Sequence, residues 1–259
     1  MAIKVVVGES SVTAGQMKDF WSKVVDGTIG SENFGGFLEN PHKFTREQVT
    51  IIRAINILGV AKVITAEQSA KAWSGAVPEV LPTIRYTDEI LRGCTESNKA
   101  GHTDFRLVYL QGISLRKLRD EIGTDTAEQP CVYNNDWWLQ KSENAWATQK
   151  FEAGYYLIDF NGRFPRTHWD RQGEEIAKLR NYERAPEAAV AEAVITNFKV
   201  HDGERLLENW YHWGNFLSSG VYRVYVGFFD GGGLLVHGDH PSVGDFDYLR
   251  VCLLRKFAI

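Results

Sequence analysis

The chain has 259 residues, 44% of them apolar and 24% charged, a balance that suits a folded globular protein of one large or two modest domains and argues against disorder. A formal net charge of -4 with no Lys/Arg cluster leaves none of the electrostatic attraction on which a nucleic-acid binder relies. No apolar run approaches the ~20 residues needed to span a bilayer, and the start MAIKVVVGESSV lacks a cationic segment followed by a long apolar one; the expectation is a soluble, unexported chain without membrane insertion, cytoplasmic or virion-associated.

In chain order, Val5 to Val7 reads as a strand within an otherwise Gly-rich first forty residues. Two helix starts follow, Thr45 with Gln48 and Thr65 with Gln68, each at capping-box spacing. After the first, Val49, Ile52 and Ile55 mark an apolar stripe that stops at Gly59. Signals from Pro78 to Gly101 are mixed, then Phe105 to Leu110 reads as a strand, which places a domain boundary near residue 100. Cys94, Cys131 and Cys252 are odd in number and widely spaced, so they read as buried thiols and exclude a disulfide framework or a CxxC metal site.

Gly154 to Phe160 is a second strand, ended by the turn pair Asn161-Gly162. Trp169, Ile176 and Leu179 give the apolar face of one helix, and Pro186 opens a second, whose Val190, Val194, Ile195 and Phe198 recur at helical spacing. Beyond Glu208 short strands at Arg223 to Phe228, Leu234 to Val236 and Leu249 to Leu254 alternate with Gly-rich loops.

The tail has a gap in its alphabet: from Gly214 to Arg255 there is no Trp, Gln, Lys, Glu or Met. These types make up 49 of the first 213 residues, so a stretch of this length should hold about nine or ten of them. Strand and turn composition explains part of the deficit, because Lys, Glu and Gln are disfavoured in buried strands and tight Gly turns. The five missing types are also the five that a codon ending in a pyrimidine cannot encode. Asn codons randomised at their adenines would draw on the remaining fifteen.

The strand Gly154-Tyr155-Tyr156-Leu157-Ile158, the paired helices, Trp210-Tyr211-His212-Trp213-Gly214 and the Gly-punctuated tail ending Leu249 to Phe257 resemble the variable proteins of diversity-generating retroelements. Those proteins carry a C-type lectin fold of the formylglycine-generating-enzyme type. The resemblance implies an α+β chain: a smaller, partly helical N-terminal domain, 1–100, then a C-type lectin-like domain, 101–259, with two helices, irregular β-structure and a variable region at about 211–250. It further implies a non-enzymatic binding protein whose variable side chains form a hypervariable, solvent-facing surface for a protein or cell-surface ligand. The implied variable positions are Tyr211, His212, Phe216, Ser218, Tyr222, Tyr225, Phe228, Asp230, His237, Asp239, His240, Asp245, Phe246 and Tyr248. Trp210, Trp213, Gly220, Gly227, Gly233 and Gly244 would be scaffold. Tyr, Phe and His offer contact area with few rotors to freeze, while Ser, Asp and Gly adapt their hydrogen bonds. Buried core is the alternative for Tyr222, Tyr225 and Phe228, since Tyr225 alternates with Val224 and Val226 along a strand.

An oxidase of the related scaffold would need a pair of active-site cysteines near the C-terminal end, where only Cys252 lies, between Val251 and Leu253. His237-Gly238-Asp239-His240, even joined by His212 or Asp230, lacks the helical spacing of a zinc motif. Asp230, Asp239, Asp245 and Asp247 are not spaced as a calcium loop. No metal or other cofactor is therefore expected. A phage or virion receptor-binding module is compatible with the binding reading, and would be expected to form a homo-oligomer for avidity.

Overall fold

The computed structural model describes residues 6–7, 10–11, 46–75, 77–78, 82–244 and 246–257. The chain divides into two compact units, Met1–Val49 and Thr50–Ile259. In the first, β1 (Val6–Val7) and β2 (Ser10–Ser11) form a short antiparallel pair. Val5, Thr45 and Asp245, to which the sequence assigned roles, lie outside the described residues.

The second unit is mixed α+β and is built on an eight-stranded sheet. Its strands are β3 (Val63–Ile64), β4 (Phe105–Leu110), β5 (Gly154–Arg163), β6 (Tyr182–Arg184), β7 (Tyr211–Leu217), β8 (Arg223–Asp230), β9 (Gly233–Asp239) and β10 (Leu249–Arg255). Their order is β3-β4-β5-β10-β7-β8-β9, with β6 also on β10. Strand β10 joins the two halves: Leu253 and Leu254 pair with β5 on one side and β6 on the other, while Leu249 and Arg250 run parallel to β7. The boundary expected near residue 100 is corrected to near residue 50. Val63 pairs in parallel with Leu107, and Trp73 Nε1 donates to Thr196 Oγ1 at 2.8 Å, so residues on both sides of position 100 share one core.

Seven α-helices occur among the described residues: α1 (Arg46–Leu58), α2 (Ala66–Ala72), α3 (Asp88–Lys99), α4 (Leu115–Ile122), α5 (Asn144–Ala147), α6 (Trp169–Lys178) and α7 (Glu187–Val200). Helix α7 is the centre of the unit. Every residue from Glu187 to Asn197 is buried, as its Ala- and Val-rich sequence allows on all sides of the helix. It packs with Val108, Ile158, Val224, Val226 and Val236 of the sheet in the larger core. A second core lies across β4 and β5, where Phe105, Leu107, Tyr109, Tyr155 and Leu157 meet Leu91 of α3 and Ile51, Ala54 and Leu58 of α1. Alternation thus buries both faces of β4.

Local expectations met varied outcomes. Thr65 and Gln68 form the capping box on α2. On α1 the buried stripe is Ile51, Ala54 and Leu58; of the expected residues Ile55 packs partly buried against this core, Ile52 is 41% exposed, and the Val49 side chain lies outside the described ones. Asn161-Gly162 does not end β5: Gly162 takes φ +68° within the strand, and Arg163 still pairs with Val251. Pro186 is the N-cap of α7 rather than part of its first turn. All three cysteines are free and buried. No described helix is long and apolar enough to cross a membrane.

Candidate functional site

Strands β7, β8 and β9 form an antiparallel ribbon whose register sorts side chains onto two faces. Trp213 lies opposite Tyr225, which lies opposite His237; Tyr211 lies opposite Gly227, and Arg223 opposite Asp239. These residues share the outer face. His212, Val226 and Val236 form the alternate set, and Val224, Val226 and Val236 pack in the core with α7.

The inner face fixes the ribbon. His212 Nε2 donates to Ala185 O at 2.8 Å, and its Nδ1 accepts from the Cys252 amide at 3.0 Å, tying β7 to β10 and to the start of α7. Complete burial, with Arg184 adding to it, pushes the imidazole pKa down to about 3, so the ring is a neutral brace. Glu187 accepts from the Phe216 amide where the β7 register shifts, and Gly214 is small enough to admit its carboxylate. Glu192 likewise accepts from the amides of Gln111 and Ile113. Burial raises both carboxyls to about 7 against the favourable pull of those amides. Gly227, at φ +151°, would drive a side chain into the Trp210 carbonyl, and Phe228 follows at φ +45° where β8 bulges.

On the outer face the aromatic rings meet. The Tyr211 ring lies 4.7 Å from Phe228 in a stacked arrangement, 4.7 Å from Tyr225 and 5.9 Å edge-on from Tyr248. Phe246 stacks on Tyr248 at 4.8 Å, and His237 on Tyr225 at 5.5 Å. The loop carrying Phe246 and Tyr248 is pinned by its backbone: Trp169 N donates to Pro241 O, Arg166 N to Phe246 O and Tyr211 N to Tyr248 O. Trp169, at the start of α6, is met by Arg184 and Arg223, whose guanidinium carbons stand 4.8 and 3.9 Å from its ring centre. Burial first, then Tyr248 and Asp230, raises the Tyr211 phenol to about 12.

Of the fourteen positions singled out in the sequence, this face brings together Tyr211, Tyr225, Phe228, His237, Asp239, Phe246 and Tyr248, with Asp230 at the end of β8 and His240 in the adjoining loop. Four are placed otherwise. His212 is a fully buried brace on the opposite face from His237, so the two cannot converge on one ion. Ser218 is buried, its Oγ accepting from the amides of Gly220 and Tyr222 in the β7–β8 turn. Phe216 packs on Trp146. Tyr222 is 47% exposed but belongs to that turn, beside Gly220 and Gly238. Asp245 is outside the described residues. Tyr225, though on the face, is only 8% exposed, covered by Tyr211 and His237, and its hydroxyl lies 3.1 Å from His237 Nδ1. Arg223 and Trp169 were missed; the parity of Arg223 with Tyr225 on β8 was the available signal for the first.

Trp213 is fully buried and Trp210 partly buried, while Gly233 holds φ +102° against the Cys131 carbonyl. Gly220 has no such constraint beyond the Tyr222 ring. Cys252 is sealed within β10, and burial lifts its thiol well above the ordinary range. The outer face is thus an aromatic, carboxylate-edged, partly exposed surface on a hydrogen-bonded ribbon. The chain matches no known protein-family model, no curated protein and no solved structure.

Proposed function

We propose that the chain is a non-enzymatic ligand-binding protein, that the outer face of the β7–β8–β9 ribbon is its binding surface, and that the scaffold is of the C-type lectin type found in retroelement-diversified variable proteins. The observation that carries this reading is the cluster of Tyr211, Phe228, Phe246 and Tyr248, gathered on one partly exposed face from a stretch whose alphabet past Gly214 lacks the five residue types closed to pyrimidine-ending codons. Large, stiff, amphipathic rings supply binding area at low entropic cost, and an aromatic patch left facing water is a common mark of a recognition surface. Separation of the two faces supports diversification, because side chains on the outer face can change while His212, Glu187 and the valines keep the ribbon in place.

An oxidase reading fares worse. The thiols of Cys94, Cys131 and Cys252 are buried and shifted away from thiolate formation, each chiefly by burial. Sequencing the DNA around the gene tests the proposal. A near-repeat of the segment encoding about 211–250, differing only where the repeat has adenine and lying near a reverse-transcriptase gene, is expected. Flanking DNA with neither would remove the diversification reading.

A further inference from the structure

We infer that the aromatic corner of this face takes a cationic side chain, an arginine or lysine presented by a partner protein; the inference rests on the reading of the face as a ligand surface. Two stacked pairs, Tyr211 on Phe228 and Phe246 on Tyr248, meet where Tyr211 and Tyr248 stand edge to face at 77°. Phe246, stacked on Tyr248 and 41% exposed, is the ring of this corner most open to a cation, and aromatic faces attract guanidinium and ammonium groups.

The charges around the corner have the matching sign. Asp230 and Asp239 have no ion-pair partner among the described residues; their Oδ1 atoms accept only from the nearby amides of Gly232 and His240. Burial, then Asp239, raises the Tyr225 and Tyr248 phenols, which marks that carboxylate as a neighbour of the rings. Asp230 acts on Tyr211 in the same sense, after burial and Tyr248. The nearby cations are already engaged: Arg223 donates to Asn215 O and stacks on Trp169, Arg250 donates to Asp247 O, and Arg166 pairs with Asp247 at 3.7 Å. No lysine occurs between Gly214 and Arg255 to neutralise the rim. An incoming cation would complete the unpaired carboxylates, and an incoming anion would be repelled.

Selection from a random twelve-residue peptide library on the full chain tests this, with counter-selection on the triple variant Tyr211→Ala, Phe228→Ala, Tyr248→Ala, its folding checked by circular dichroism. The expected peptides are enriched at least about threefold in Arg and Lys, and bind the double variant Asp230→Asn, Asp239→Asn about tenfold more weakly. Face-dependent peptides that are acidic or neutral and indifferent to the double variant would overturn the cationic inference while leaving the binding face intact. Failure to recover any face-dependent peptide would count against both.

Discussion

Glu187 and Glu192 show what enclosure does to a charge. Each carboxylate is buried, extending from α7 to backbone amides of a neighbouring segment, yet burial still raises its pKa from 4.5 to about 7. A carboxyl that holds its proton to higher pH folded than unfolded makes the folded state lose stability as pH rises from about 4.5 to about 7, with the loss complete above that. His212, depressed to about 3, acts in the opposite sense between 3 and 6.5, but its contribution is common to the native chain and a Glu187 variant. Urea unfolding at pH 5 and pH 8 is therefore expected to show Glu187→Gln gaining stability relative to the native chain as pH rises, by on the order of 1–3 kcal/mol. An unchanged difference between the two proteins at the two pH values would mean that Glu187 does not titrate in this window. None of this was legible in the sequence: a Glu within an Ala-rich helix reads as a solvated face, and only the packing on all sides of α7 reveals otherwise.

At the scale of elements, the ribbon depends on places where backbone crosses backbone. Gly227→Ala is expected to destabilise the fold by about 2 kcal/mol or more, since φ +151° and the Trp210 carbonyl leave no room for a methyl group, whereas Gly231→Ala, with open space around it, should fall within about 0.5 kcal/mol. Equal midpoints in chemical denaturation would contradict this placement of the β8 bulge. Strands β4, β8, β9 and β10 and helices α6 and α7 were readable from periodicity and turn residues. Strand β7 was not, because Tyr211 to Leu217 lacks branched residues and carries Gly214 to admit Glu187. Without β7 the alternation that separates Tyr211 from His212 was hidden, so a buried brace stood among the display candidates. The bulge at Gly162 was read as a turn for a related reason: a positive φ serves both, and only pairing to Val251 distinguishes them.

The molecule as a whole separates stability from display. The two larger cores lie away from the outer face of the ribbon, organised by α7 and by β4 and β5, while on that face the rings of Tyr211, Phe228, Phe246 and Tyr248 pack on one another, with Tyr211 and Tyr248 also resting on a small buried cluster of Trp213, Tyr225 and Leu249. Composition and alphabet pointed to this tail, but the extent of the supporting unit was legible only in part. The parallel pairing of β3 with β4 joins segments more than forty residues apart, and nothing local in the chain announces it. The most direct measurement compares two libraries built with pyrimidine-ending codons and scored by protease resistance of displayed clones. One rewrites Tyr211, Phe228, His237, Phe246 and Tyr248; the other rewrites His212, Val224, Val226, Phe229 and Val236. At least about tenfold more folded clones are expected from the first library, because buried positions carry most of the cost of substitution. Equal survival in the two would show that the outer face is part of the core and not a surface free to vary.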